Sequence, residues 1–110
     1  MRKPLSEDYI RANQDTIDWC DISWSQDLSE SFIREFQGRA DWVNISRKQN
    51  LSESFIREFQ DRVNWHEISW NQTLSRIFIL DFINRLNINL ISKYQELDQE
   101  TREYLKLLKG

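Results

Sequence analysis

Apolar residues return along this chain in one fixed order every 23 positions, and the order is that of two short amphipathic helices joined by a turn. The segment LSESFIREFQ occurs twice without a change, at 28–37 and 51–60. Extending that period in both directions gives four units, 5–27, 28–50, 51–73 and 74–96, with no gap and with a tail from Leu97 onward. Units two and three agree at 15 of 23 positions, whereas the first and fourth match the third at 12 and 10, the divergence expected where an array ends. Seven columns stay almost wholly apolar: Leu5/28/51/74, Tyr9 with Phe32/55/78, Ile10/33/56/79, Phe36/59/82, Ile17 with Ala40, Val63 and Leu86, Trp19/42/65 with Ile88, and Ile22/45/68/91. These form the predicted core. Asn13 stands where the other units have Phe, so the first unit is expected to be partly open at its outer end.

Each unit reads as a helix A and a helix B of about eight to ten residues. In unit two Ser29 is the expected N-cap, Glu30 lies in the first turn where the helix dipole favours an anion, and Phe32, Ile33, Phe36 and Ala40 share one face. Leu28 before the cap and Ile33 within the helix have the spacing of a hydrophobic staple. Asp41 restarts the chain as a second cap, equivalent to Asp18, Asn64 and Asn87, ahead of Trp42 and Ile45. Glu7 with Arg11, Glu30 with Arg34 and Glu53 with Arg57 have the spacing of surface ion pairs along one helix. Helices this short are unstable alone, so stacking between units must hold them. The fold class is therefore all-α, a single helical-repeat solenoid over 1–110.

Unit four departs from the pattern with Arg76, Ile77 and Leu80, which leaves helix A apolar on more than one side. The tail has Leu97, Thr101, Tyr104, Leu105 and Leu108 at helical spacing, and is expected to form a capping helix over about 93–109. The alternative cover for Ile77 and Leu80 is a second copy of the chain, as a homodimer.

Composition removes several function classes. With 15 Lys and Arg against 18 Asp and Glu, the net charge of −3 argues against holding nucleic acid by bulk phosphate attraction. One Cys, Cys20, excludes an internal disulfide scaffold, all but excludes a cysteine zinc site, and makes a reducing, cytoplasmic location the simplest home. Two Gly and one Pro leave almost no chemistry for a phosphate-cradling loop. No signal peptide or membrane span is expected, because no apolar run follows the basic start.

His66 and Cys20 share one column two units apart, too distant for a catalytic pair, and His66 is expected at the surface. Cys20 beside Trp19 is expected to be partly buried and unreactive. The columns Ser23/46/69/92 and Gln26/49/72/95 are expected to satisfy backbone groups at turns. No catalytic, cofactor or metal residue is identified. The residues that stand out are Trp24 and Trp70, in a column shared with Arg47 and Lys93: a column that accepts Arg and Lys faces solvent, and exposed Trp marks either an interface or a local groove filler. From Pro4 to Ile33 the charge is −6, with Asp15, Asp18, Asp21 and Asp27 among the acids, and the remainder is +3. Such an end could attract a basic partner surface, or serve only as caps on a solvated unit.

The combination LSE-x-F-I-R-E-F, a branched apolar residue, Asp or Asn, Trp, and then I-S-x-x-Q resembles short repeats of uncharacterised proteins from large DNA viruses and phages, over Leu5 to Glu96. The resemblance implies a viral or mobile-element origin, a place in the host cytoplasm if viral, and a role in binding rather than in catalysis. The expected function is a non-enzymatic protein-interaction module that uses Trp24, Arg47 and Trp70 toward a protein partner, with no cofactor, membrane or direct nucleic-acid contact. The alternative is an inhibitor of a host nuclease or defence complex that uses the acidic N-terminal surface.

Overall fold

The architecture follows from six or seven residues of helix at a time. A computed structural model describes residues 4–109, and among them there are nine helices and no strand. The A helices are α1 (Glu7–Ala12), α3 (Glu30–Glu35), α5 (Glu53–Glu58) and α7 (Arg76–Asp81); the B helices are α2 (Trp19–Ser25), α4 (Trp42–Lys48), α6 (Trp65–Asn71) and α8 (Ile88–Tyr94). The tail forms α9 (Gln99–Lys109). The helices are shorter than the spacing predicts, because Phe36, Phe59 and Phe82 are already C-caps and the chain continues as a separate turn closed by bonds such as Ala40 N–H to the Phe36 carbonyl.

Every expected cap is formed. Ser6, Ser29, Ser52 and Ser75 accept from the N–H three residues on, and Asp18, Asp41, Asn64 and Asn87 cap the B helices. The units stack into a rod of 50 × 28 × 18 Å, with successive B helices packed side by side. The apolar columns line its interior: Phe32, Phe55 and Phe78 and the Ile columns are buried, each full burial contributing about 1.5–3 kcal/mol.

One set of contacts recurs between each unit and the next. The Trp of one unit lies against the Phe pair of its successor: Trp42 is 5.2 Å from Phe59 and 6.2 Å from Phe55 between ring centroids. Its indole N–H is held by the Gln37 carbonyl. Arg34 covers the same two rings and then donates to both carboxylate oxygens of Glu58, at 2.8 and 2.7 Å. Arg11 with Glu35 and Arg57 with Asp81 repeat this rung. The Glu residues expected to pair with Arg along one helix instead reach the next unit's cap: Glu30 accepts from the N–H and hydroxyl of Ser52 at 2.6 and 2.9 Å, and Glu7 and Glu53 do the same for Ser29 and Ser75. A cap N–H otherwise left without a helical partner outweighs a surface pair worth a few tenths of a kcal/mol.

The Gln and Ser columns satisfy backbone groups as expected. Gln72 accepts from the Leu51 N–H of its own unit and donates to the Ser46 and Gln49 carbonyls of the unit before, and Gln49 and Gln95 repeat the arrangement. Ser46 Oγ accepts from the N–H of Asn64, the cap of the next B helix.

These contacts explain both ends. Tyr9, Ala12 and Asn13 occupy the columns that receive a preceding Arg and Trp, and Tyr9 is exposed rather than part of the core, because no indole covers it. Unit four changes the opposite set: Leu80 and Ile88 replace Arg and Trp, and in α9 Thr101, Tyr104 and Leu105 replace Phe, Glu and Phe. Arg76 replaces the capping Glu and faces Asp98, an acid in the Ser column that accepts from the Thr101 N–H at 2.7 Å. The capping helix thus begins at Gln99 rather than near 93, since 93 and 94 complete α8 and the tail keeps the repeat register. α9 buries Thr101 and Leu105, yet leaves Ile77, Leu80, Tyr104, Leu107 and Leu108 exposed.

Candidate functional site

The B helices stack in register, so equivalent residues on them form a stripe along the rod. Trp24, Arg47, Trp70 and Lys93 occupy one column of it, and both indoles are 46% exposed. Each indole has its neighbour in the following unit. Lys48 Nζ stands 3.9 Å from the Trp24 ring centroid, with the Arg47 guanidinium at 5.9 Å, a cation–π arrangement worth about 0.5–1 kcal/mol at an exposed site. Trp70 lies 5.8 Å from Tyr94 and is met edge-on by His66 at 6.3 Å; Lys93 Nζ is 5.3 Å from the Tyr94 ring. Half of each indole is thus spoken for by packing and half is open to solvent.

Arg47 is fixed between the two indoles. It donates to both carboxylate oxygens of Glu67 at 3.1 and 2.8 Å, and Glu67, with only 7% of its side chain exposed, also accepts from Asn71 at 2.9 Å. The Arg47 hydrogen bonds hold the Glu67 carboxyl below the usual carboxylate range against the opposing effect of burial. A bidentate guanidinium on a nearly buried carboxylate is a rigid element, not a mobile surface cation.

Lys48, Glu67 and Tyr94 were not singled out by sequence reasoning. The signal for two of them lay in the column Ser25, Lys48, Asn71, Tyr94, which holds a Lys and therefore faces solvent by the argument that exposed Trp24 and Trp70. Nothing in the sequence pointed to Glu67, whose partner sits 20 residues away in the preceding unit.

The acidic end is arranged differently. Asp15 pairs with Arg39 at 2.8 Å, and Asp18 caps α2 by accepting from Cys20 and Asp21 N–H groups. Asp21 sits in the first turn of α2 and Asp27 is exposed beyond its end. With Leu5, Tyr9, Ile17 and Ile22, Asp18 and Asp21 line an open cleft of about 440 Å³ at the outer face of the first unit.

Cys20 is exposed rather than partly buried, because its column faces outward from α2. The nearby Asp41 carboxylate pushes its thiol up from the ordinary value, which disfavours the thiolate that a nucleophile or ligand requires. His66 is at the surface, two units along, as its column predicts. Among the described residues no group of three His, Cys, Asp or Glu is placed to hold a metal ion, and no helix is long and apolar enough to cross a membrane.

Comparison with family models, curated proteins and solved structures returns no match to this chain.

Proposed function

We propose that this chain is a non-enzymatic protein-interaction module of viral or phage origin, acting in the host cytoplasm, that binds a protein partner across the B-helix stripe through Trp24, Arg47 and Trp70. The observation that carries the reading is the preset geometry of that stripe: half-open indoles on either side of a guanidinium locked by Glu67. Trp, Tyr and Arg are the side chains that most often dominate binding energy at interfaces. Holding them in place before contact lowers the ordering cost of association, about 0.5–1.5 kcal/mol per side chain. The stripe spans four units, so a partner reads several of them together. The alternative, an inhibitor that occupies a nucleic-acid groove with Asp15, Asp18, Asp21 and Asp27, has less support, because Asp15 is taken up by Arg39 and Asp18 by the start of α2.

The test is affinity capture from nuclease-treated host lysate with the wild type and with Trp24→Ala/Trp70→Ala, identifying retained proteins by mass spectrometry, alongside thermal melts of both. The expected result is one protein complex retained by the wild type and lost by the variant, with melting changed by no more than a few degrees. A melting collapse would identify the indoles as packing residues and refute the assignment. Loss of binding on reversing Asp15, Asp18 and Asp21 to Lys, with the Trp variant still active, would favour the inhibitor reading.

A further inference from the structure

The helix-A edge of the rod is charged at three junctions and apolar at the fourth. Arg11–Glu35, Arg34–Glu58 and Arg57–Asp81 close the first three with N···O distances of 2.7–2.9 Å. The same two positions at the last junction are Leu80 and Tyr104, which with Arg76, Glu100, Glu103 and Leu107 line a groove of about 540 Å³ between α7 and α9. Ile77, 70% exposed, extends this surface in a column that holds Ser31 and Ser54 in the inner units. Leu107 on the other wall is 80% exposed. A last junction built to face water would keep the charged rung that the other three have; an apolar one at the rim of an open groove is built to be covered.

The charges at the rim identify the cover. Among the described residues the ion pairs of Arg76 on the α7 wall are long, 3.8 Å to Asp98 and 3.6 Å to Glu100, against 2.7–2.9 Å in the inner rungs. Glu103 on the α9 wall carries the opposite sign and accepts only from Gln99 among the described contacts. The groove therefore has a cation on one wall, the acids Glu100 and Glu103 on the other, and Leu80, Tyr104 and Leu107 beside the buried Thr101. A two-fold axis along such a groove lays α7 of one copy over α9 of the other. It would set the Arg76 wall against the partner's acidic wall, Glu100 and Glu103, twice and Leu80 against the partner's Tyr104 and Leu107 twice, the self-complementarity an isologous interface requires.

We propose that the α7–α9 groove is the interface of a two-fold homodimer of this chain. It is independent of the B-helix stripe, and leaves both stripes of the dimer free for partners.

Sedimentation velocity over a wide concentration range tests this with the wild type, with Leu80→Arg/Tyr104→Glu, and with Ile77→Ser. The double variant rebuilds the charged rung of the inner junctions, and Ile77→Ser restores the residue of the inner units at a site too exposed to unfold the chain. The expected result is a wild type at twice the mass of one chain, a monomeric double variant with an unchanged circular dichroism spectrum, and association weakened about tenfold by Ile77→Ser. Trp24→Ala/Trp70→Ala should remain dimeric. A wild type that stays monomeric, variants that dimerise as the wild type does, or a mass that grows without limit with concentration would each overturn the proposal. Should the double variant misfold, Ile77→Ser decides alone.

Discussion

Replacing Gln72 by Leu removes one rung of the buried amide series while leaving nearly the same volume. Gln72 is 5% exposed; it accepts from the Leu51 N–H at 3.2 Å and donates to the Ser46 and Gln49 carbonyls at 2.9 and 2.7 Å. Leucine leaves a buried N–H unpaired, which costs about 1–3 kcal/mol, and takes the donor from two carbonyls, about 1 kcal/mol more. Relief from burying the amide itself returns about 1 kcal/mol. The net loss is thus about 1–3 kcal/mol, a large share of the roughly 5–15 kcal/mol that holds a domain together. Urea denaturation followed by circular dichroism at 222 nm measures it, with Gln99→Leu as the control, since Gln99 is exposed and its side chain, among the described residues, bonds only to Glu103 on its own helix. The control should change stability by less than about 0.5 kcal/mol. A Gln72→Leu loss no larger than that of the control would refute the view that these amides bind unit to unit.

Two further predictions concern ionisation. Glu67 is held below the usual carboxylate range by Arg47, so its contribution is present above the unfolded value and lost as pH falls through the folded one. Glu67→Gln should therefore cost about 1–2 kcal/mol at neutral pH, and the gap to the wild type should close on acidification; a gap that is constant or widens toward acid contradicts the assignment. The Cys20 thiol is pushed up by Asp41, so at mildly alkaline pH it should react with a disulfide reagent more slowly than a free cysteine does, and Asp41→Asn should speed it. A wild-type rate equal to that of free cysteine would contradict this.

The sequence carried the fold because each unit is a comparison for the others. Ser29 and Asp41 could be read as caps once the same residue types recurred at every equivalent position, and the exposure of Trp24 and Trp70 followed from Arg47 and Lys93 in their column. What crosses between units was not legible. Glu30 stands four residues before Arg34 and 22 before Ser52, and only the stacking distance decides that it caps the second and leaves the first to Glu58. Tyr9 misled for the same reason: its column is core only where a preceding unit covers it, by Trp over Phe32, Phe55 and Phe78. The start of α9 was readable in principle, since Leu97 and Asp98 repeat the Leu–Ser pair that opens each unit, but the apolar spacing of the tail drew the helix too early. Within the stripe, the aromatic and Arg positions were visible in the sequence, whereas the Glu67 lock depends on a residue in the next unit.

That each unit recognises only its neighbours, through one repeated set of groups, is tested most directly by inserting a second copy of residues 51–73 in tandem and measuring the thermal melt. An added unit brings its own stability and one more complete interface of Trp on Phe, Arg on Glu, Glu on a Ser cap and Gln on carbonyls, so the longer chain should melt higher, in one cooperative step, with helical signal increased in proportion. A melt at the same or lower temperature, or a separate early transition for the added unit, would contradict nearest-neighbour assembly.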